Sequence, residues 1–297
     1  MSLLHRARDL GLNTLERSLE WSENQVGDAL RVTRFLKGKA AFEARPDDVY
    51  VVTYPRSGTT WVQFILYLMH SDQRLDFAHL SEVSPWWERS LALGSHTSED
   101  FAALEGPRVF KSHLPRRWLP GQGRFVCVVR DGLDVAVSFY HLYRSHIGFT
   151  GSFEAFFDKY LRGDVQYGGY HKHVAGWQKY ASDPDVLMLE YEALRADPAA
   201  HVRKLADFLG WPLSAARLDE VVEKSSFAAM KANEDKFDPI TETVLNLGLR
   251  RGSFLRSGKT GEGRAKVSEE MAARFRADAE RVRRRPELEA RLAAFLH

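Results

Sequence analysis

Two hydrophobic periods share the chain, and the places where one gives way to the other mark its elements. Val49-Tyr50-Val51-Val52-Thr53-Tyr54 is a β-branched and aromatic run of the length of a buried strand. It breaks at Pro55-Arg56-Ser57-Gly58, and a helical pattern follows from Thr59 to about His70, with Trp61, Ile65, Leu68 and Met69 on one side. Strand-like runs recur at Arg108 to Ser112, Phe125 to Arg130 and Val186 to Glu190. Helical stretches at Leu133 to Arg144 and Tyr170 to Ala181 lie between the last two. Beyond Tyr191 the pattern is mainly helical, with Pro198 to Leu209 and Ser214 to Ser225 the clearest segments. Strands alternating with helices predict an α/β fold with a central parallel sheet flanked by helices. With no internal repeat, low-complexity tract or Pro/Ser-rich linker, residues 1–297 read as a single domain. Residues 1–45 are then a helical N-terminal extension, with Leu12, Leu15, Leu19 and Val26 at helical spacing, and 265–297 a charged C-terminal helix. Asn233 to Gly252 has no clean period and is expected to be a mobile lid.

Composition narrows the partners. The balance of 42 Lys+Arg against 40 Asp+Glu leaves a net charge of +2, which argues against a protein that coats nucleic acid. The arginines from Arg281 to Arg285 are interleaved with Glu280, Glu287 and Glu289, the pattern of a solvated helix face. Cys127 is the sole cysteine, so no intramolecular disulfide or multi-cysteine zinc site forms; within an apolar strand it reads as a core residue. The opening residues lack the apolar stretch of a secretory signal, and no run approaches a membrane span. A cytoplasmic protein with no membrane partner is expected.

The break after the first strand carries chemistry. A helix N-terminus leaves main-chain N–H groups unpaired and bears partial positive charge, so it suits phosphate. Gly58 permits close approach, Ser57, Thr59 and Thr60 add hydroxyls, and Arg56 adds a forked cation. The ATP-binding pattern G-x-x-x-x-G-K-[ST] does not fit: with Gly58 as its second glycine, the first falls on Thr53 and the lysine on Thr59. An ordinary helix cap by Ser57 or Thr59 stays open on these residues alone.

Tyr54-Pro55-Arg56-Ser57-Gly58-Thr59-Thr60-Trp61 resembles the cofactor loop of the cytosolic sulfotransferases, which use 3′-phosphoadenosine 5′-phosphosulfate (PAPS). Further segments are similar to that family in the same order. They are Val109 to Pro115, Val128 to His141, Tyr167 to Trp177, Ser225 to Lys231 and Phe254 to Glu262. The resemblance spans about Asp47 to Glu262 and implies a P-loop-like strand–loop–helix for the phosphosulfate. It implies that Arg56, Ser57, Gly58, Thr59 and Thr60 hold that end, with Trp61 stacked on adenine. Arg130 and Ser138 are then the 3′-phosphate residues, joined by Arg256, Ser257 and Gly258, while Tyr191, Ser225 and Phe227 surround the nucleotide. His113 becomes the general base, with Lys111 and Arg56 offsetting negative charge on the transferring group. PAPS is the implied donor and PAP the product, with no metal. Trp86, Trp87, Phe139, Tyr140 and His173 fall in segments that line the acceptor pocket of relatives. The acceptor expected there is a small hydrophobic alcohol or phenol, a hydroxyl before an amine.

Read singly, these residues keep plainer alternatives. Trp61 and Tyr191 suit packed core, His113 a strand-end histidine bonded to backbone, and Arg130-Asp131 a local ion pair. A PAP- or PAPS-binding protein without turnover and a nucleotide kinase are the rival functions. There are also departures from the family. Arg56 stands where most relatives have lysine, Ser257 replaces a lysine and Gly263 a tryptophan. The family's dimer motif is not intact around Lys266-Val267-Ser268, which leaves the oligomeric state open. The serine removes one positive charge from the 3′-phosphate residues, so Ser257→Lys is expected to tighten PAP binding in calorimetry; unchanged affinity refutes that reading.

Overall fold

The computed structural model describes residues 26–71, 75–104, 106–237, 255, 258 and 260–284. Strands β1 (Val49–Thr53), β2 (Val109–Ser112), β3 (Arg124–Val129) and β4 (Val186–Glu190) form a wholly parallel sheet in the order β2-β1-β3-β4. Each lies within one residue of its predicted run. Helices pack around it: α1 (residues 26–41), α2 (Thr59–His70), α3 (Trp87–Leu93), α4 (Ser98–Ala102), α5 (Gly132–Leu142) and α6 (Phe153–Arg162). They continue with α7 (Tyr170–Gln178), α8 (Tyr191–Ala196), α9 (Pro198–Leu209), α10 (Ala215–Lys224), α11 (Phe227–Ala232), α12 (Glu262–Lys266) and α13 (Glu269–Arg284).

Successive strand side chains point to opposite faces, and this sorts the core into layers. Val49 and Val51 of β1 with Val126 and Val128 of β3 face α2, α9 and α10. Tyr50, Val52, Phe125 and Cys127 face the other way, toward Trp87, Phe110 and Trp177. Every residue of α2 from Val62 to Met69 is buried, so this helix has no solvent stripe. Its Gln63 stays satisfied there by donating to the carbonyl and hydroxyl of Ser84. At the amino ends of the strands, Arg108 forks onto Asp48 with two bonds of 2.6 Å in a fully buried pair. A third cluster, rich in aromatic rings, packs α5 against α6 and Tyr54.

Differences from the sequence reading sit at element ends and in short helices. The predicted helix to Arg144 changes form after Leu142, where Tyr143–Ile147 make a π turn closed by Gly148 at φ 75°. The run predicted to Ala181 ends at Gln178. Val26, placed on the apolar side of the N-terminal extension, is 68% exposed. Of the predicted lid, residues 233–237 form a turn of 3-10 helix and its flanks, while 238–252 lie outside the described residues. Residues 1–25 and 285–297 of the two terminal segments lie outside them too.

Trp87, expected at the acceptor, is instead core. It is completely buried, with Phe35, Phe42 and Tyr50 edge-on to its ring at 5.6–6.3 Å. Its place in the first turn of α3 sets it in the same layer as Tyr50 and Phe110, against which the partly buried Trp86 also packs. Trp87→Ala is therefore expected to cost about 3–5 kcal/mol in urea unfolding, against less than about 0.5 kcal/mol for Val26→Ala at the surface.

Candidate active site

The order β2-β1-β3-β4 makes the chain leave β1 and β3 in opposite directions, and the crevice at their carboxyl ends is where open α/β sheets bind ligands. The loop after β1 and the turn after β3 meet in this crevice. Arg130 donates from Nη1 to the carbonyl of Arg56 at 3.2 Å, and Arg56 Nε donates to Ser138 Oγ at 3.0 Å. Arg56 has φ 71°, a left-handed backbone that a side chain ordinarily avoids. Gly58 caps α2 at φ 101°; a Cβ there meets the Tyr191 ring at 2.7 Å, so close packing and backbone both require glycine. Ser57 Oγ is buried without a hydrogen-bond partner, in the loop that exposes the amino end of α2. Thr59 shares a 2.6 Å hydrogen bond with Thr53, and Thr60 is half-buried beside it.

Tyr191 is the hub of the neighbouring wall. The Arg130 guanidinium lies 4.5 Å from its ring centroid, and Trp61 stands edge-on at 5.7 Å. Trp61 in turn donates Nε1–H to the carbonyl of Ser225 at 2.8 Å, joining α2 to the end of α10. Phe227 is 42% exposed, and a Cβ on Gly258 falls 2.5 Å from its ring, which brings the late loop to this wall. Arg256 and Ser257 lie outside the described residues. Asp134 anchors the far end of that loop: its carboxylate accepts the N–H groups of Gly261 at 2.8 Å and Gly263 at 2.6 Å. Arg130 Nη2 is 3.7 Å from the same carboxylate. A Cβ on Gly263 lands 2.3 Å from the backbone of Leu133, which accounts for glycine where a tryptophan was expected.

The second half of the site lies at the end of β2. His113 is buried, and its Nδ1 lies 2.8 Å from the carbonyl of Thr53. A carbonyl only accepts, so Nδ1 carries the proton and Nε2 keeps its lone pair. Burial, then the charge of Lys111, push the His113 imidazole well below the ordinary histidine value, so it is neutral at pH 7. Lys111 is buried as well; its Nζ stands 3.7 Å from the Trp86 ring centroid, and desolvation brings its ammonium down to about 7. Trp86 stacks on Tyr167 at 5.9 Å, and both rings meet His113 at 5.0 and 4.8 Å. His173 is buried, pushed down to about 3, and reaches the backbone of His113.

Two other aromatic residues expected at the acceptor pack, like Trp87, into a buried cluster. Phe139 is fully buried against Tyr54, Tyr143 and Phe156. Tyr140 packs on Phe149, Phe153 and Phe156 under Lys266. Both face the aromatic cluster between α5 and α6, because the helix turns that side inward. Other residues stand beside His113 and Arg56. Tyr167, at φ 73°, is stacked in the wall; Glu88 holds the N–H of His113 at 2.7 Å; His146, on the π turn, is buried and pushed down to about 4 by desolvation and then Arg56. Glu88 directly follows Trp86-Trp87, and Asp134 stands inside the segment quoted for Arg130, so nearness was their one signal.

Among the described residues no group of His, Cys, Asp and Glu is arranged to hold a metal ion, and no helix is long and apolar enough to cross a membrane. Comparison with known proteins gives a match to the sulfotransferase domain over residues 46–286. The chain is 34% identical to sulfotransferase 1A1 of Bos taurus over 235 residues, 75% of this chain and 78% of that one. It is 33% identical to sulfotransferase 1E1 of Homo sapiens over 233 residues, 75% and 79% of the two chains. Retinol dehydratase, solved in complex with androsterone and the inactive cofactor PAP, superposes with a TM-score of 0.72 at 26% identity, covering 87% of this chain and 88% of that one.

The Asp134 anchor gives a test of the late loop's attachment. Asp134→Ala leaves two N–H groups without their acceptor, the buried one of Gly263 at a cost of about 1–3 kcal/mol and the exposed one of Gly261 open to water. Faster amide exchange at Gly261 and Gly263 is expected, with unchanged exchange in β1 and β3.

Proposed function

This chain belongs to the sulfotransferase family and is a PAPS-dependent sulfotransferase, and on that footing we propose that His113 is its general base and a small hydrophobic alcohol or phenol its acceptor. The observation that carries the base assignment is the bond from His113 Nδ1–H to the Thr53 carbonyl. It fixes one tautomer and leaves Nε2 as the acceptor of a proton from the attacking hydroxyl. Depression of the imidazole by burial and Lys111 means that the base is in its working form throughout the neutral range.

The residues at the crevice fit the donor. The partnerless Ser57 hydroxyl, the glycine-capped amino end of α2 and the cation of Arg56 suit an anionic group. Arg56, Ser57, Gly58, Thr59 and Thr60 would hold the phosphosulfate end, and Arg130 with Ser138 the 3′-phosphate. Trp61, Tyr191, Ser225, Phe227 and Gly258 would flank the nucleotide, joined by Arg256 and Ser257. PAPS supplies the sulfuryl group when bound. Lys111 and Arg56 offset the negative charge that shifts during transfer, and the dry surroundings that bring the Lys111 ammonium down to about 7 also strengthen its attraction for that charge.

Trp86, Tyr167 and His173 then form the acceptor wall around His113. Its apolar rings suit a flat or aliphatic hydroxyl compound, and the cations of Lys111 and Arg89 disfavour a protonated amine. A reducing cytoplasm suits the single thiol, Cys127, which burial pushes well up. In a sulfate-transfer screen, phenols and aliphatic alcohols are expected to be used in preference to amines. His113→Ala is expected to lower kcat about 10²–10⁴-fold with circular dichroism and PAP affinity intact; a folded variant with full turnover sinks the assignment.

A further inference from the structure

Glu88 lies in the first turn of α3 and is completely buried. Its Oε1 accepts the main-chain N–H of His113 at 2.7 Å and the indole N–H of Trp86 at 2.7 Å. Ser112 adds a side-chain hydrogen bond, while Oε2 is buried with no donor. The segment before it runs alongside the outer edge of β2. Lys111 N–H donates to the carbonyl of Pro85 at 2.9 Å, and Trp86 bridges to Lys111 in parallel register. The same Trp86 ring lies under the Lys111 ammonium.

A buried carboxylate is costly unless hydrogen bonds and opposite charge compensate it. Here the compensation comes from the main-chain N–H of His113 and the indole N–H of Trp86, and burial still holds the Glu88 carboxyl above the ordinary carboxylate value. We propose that Glu88 is a positioning residue for sulfuryl transfer, holding the Trp86 indole beneath the Lys111 ammonium and the main chain of His113 at a fixed distance from both. This inference rests on the roles given above to His113 and Lys111.

Two donors converging on one oxygen set the angle between the Trp86 ring and the end of β2. Without that oxygen, the indole is free to turn and the ammonium loses its seat. The charge of Glu88 acts in the same direction. Of the groups that face Lys111, Arg89 and Arg56 drive its proton off and Glu88 retains it. His113 is faced by Lys111 and His173. The ammonium is lost as pH rises through the lysine's pKa, so removing the carboxylate's charge moves that loss to lower pH.

Glu88→Gln separates this role from mere filling of space, because it keeps an acceptor oxygen for both donors while an uncharged amide NH2 group replaces the donorless oxygen. In the donor-free protein, the titration midpoint of Lys111, read by ¹³C NMR of its side chain and assigned with Lys111→Met, is expected to move to lower pH. Turnover should fall about 10- to 100-fold, the scale of a small misplacement at a reacting centre, with PAP affinity in calorimetry unchanged. In a Lys111→Met background the substitution should cost little more, since residues acting as a unit are not additive. An unmoved midpoint, an unchanged kcat, or an equal loss in the Lys111→Met background each overturn the proposal. If Glu88→Gln does not fold, Trp86→Phe removes the indole donor and part of the ring under Lys111 while keeping an aromatic side chain, and full turnover in that variant overturns it instead. Failure of the underlying reading is seen separately, as full turnover in His113→Ala and Lys111→Met while the NMR midpoint still responds to Glu88.

Discussion

Parallel pairing joins β1 to β3 from Val49 opposite Arg124 to Thr53 opposite Val128, so the two strands end at one level. The loop at 54–58 and the turn at 130–131 therefore leave the sheet side by side, and Arg130 reaches the carbonyl of Arg56. On its other edge β1 pairs with β2 as far as Val52 opposite Ser112, which sets His113 against the carbonyl of Thr53. One central strand thus fixes the anion-holding loop and the base together. A slip of one residue in either register exchanges the faces of the strand and takes both away.

Charge placement follows from that geometry. Arg56 stands close enough to Lys111 to help drive its proton off, in a region with little water to screen the two charges. The fold answers with carboxylates set one step back: Asp134 beside Arg130, and Glu88 behind Lys111. These hold the cations in place while leaving their outward sides turned to the crevice. An arriving dianion meets donors already arranged, which is the condition for electrostatic stabilisation without reorganisation.

The parts of this that could be read in the sequence are the parts with a local signature. Val49 to Tyr54 gave a buried strand because every position is β-branched or aromatic, and Gly58 gave the loop because nothing else suits its backbone. Arg56, Arg130 and His113 were named from their segments, and the structure brings them to one crevice. Trp87, Phe139 and Tyr140 lie buried in aromatic clusters, and in sequence an aromatic residue beside a site is indistinguishable from one beneath it. Trp86 precedes α3 and lies partly buried beside Lys111 and His113, Trp87 opens the helix wholly buried, and only tertiary packing decides between them. Helix α6 was overlooked although Phe153, Phe156, Phe157 and Tyr160 carry the helical period after the Ser152 cap. Glu88 had no pattern of its own, since its partners are a main-chain N–H and a ring brought near by the β2 edge.

Arg56 and Tyr167 are the described non-glycine residues with left-handed backbones, and one stands on each side of the crevice. Such a conformation costs on the order of 1–3 kcal/mol and persists only where its surroundings impose it. At Tyr167 glycine would relieve that cost but also empty a buried aromatic position worth about 3–5 kcal/mol, so that ring is kept by packing. At Arg56 glycine would relieve the strain and remove only a half-buried guanidinium from the site. Stability and turnover therefore pull in opposite directions at the Arg56 codon, and selection for activity is what keeps the arginine there.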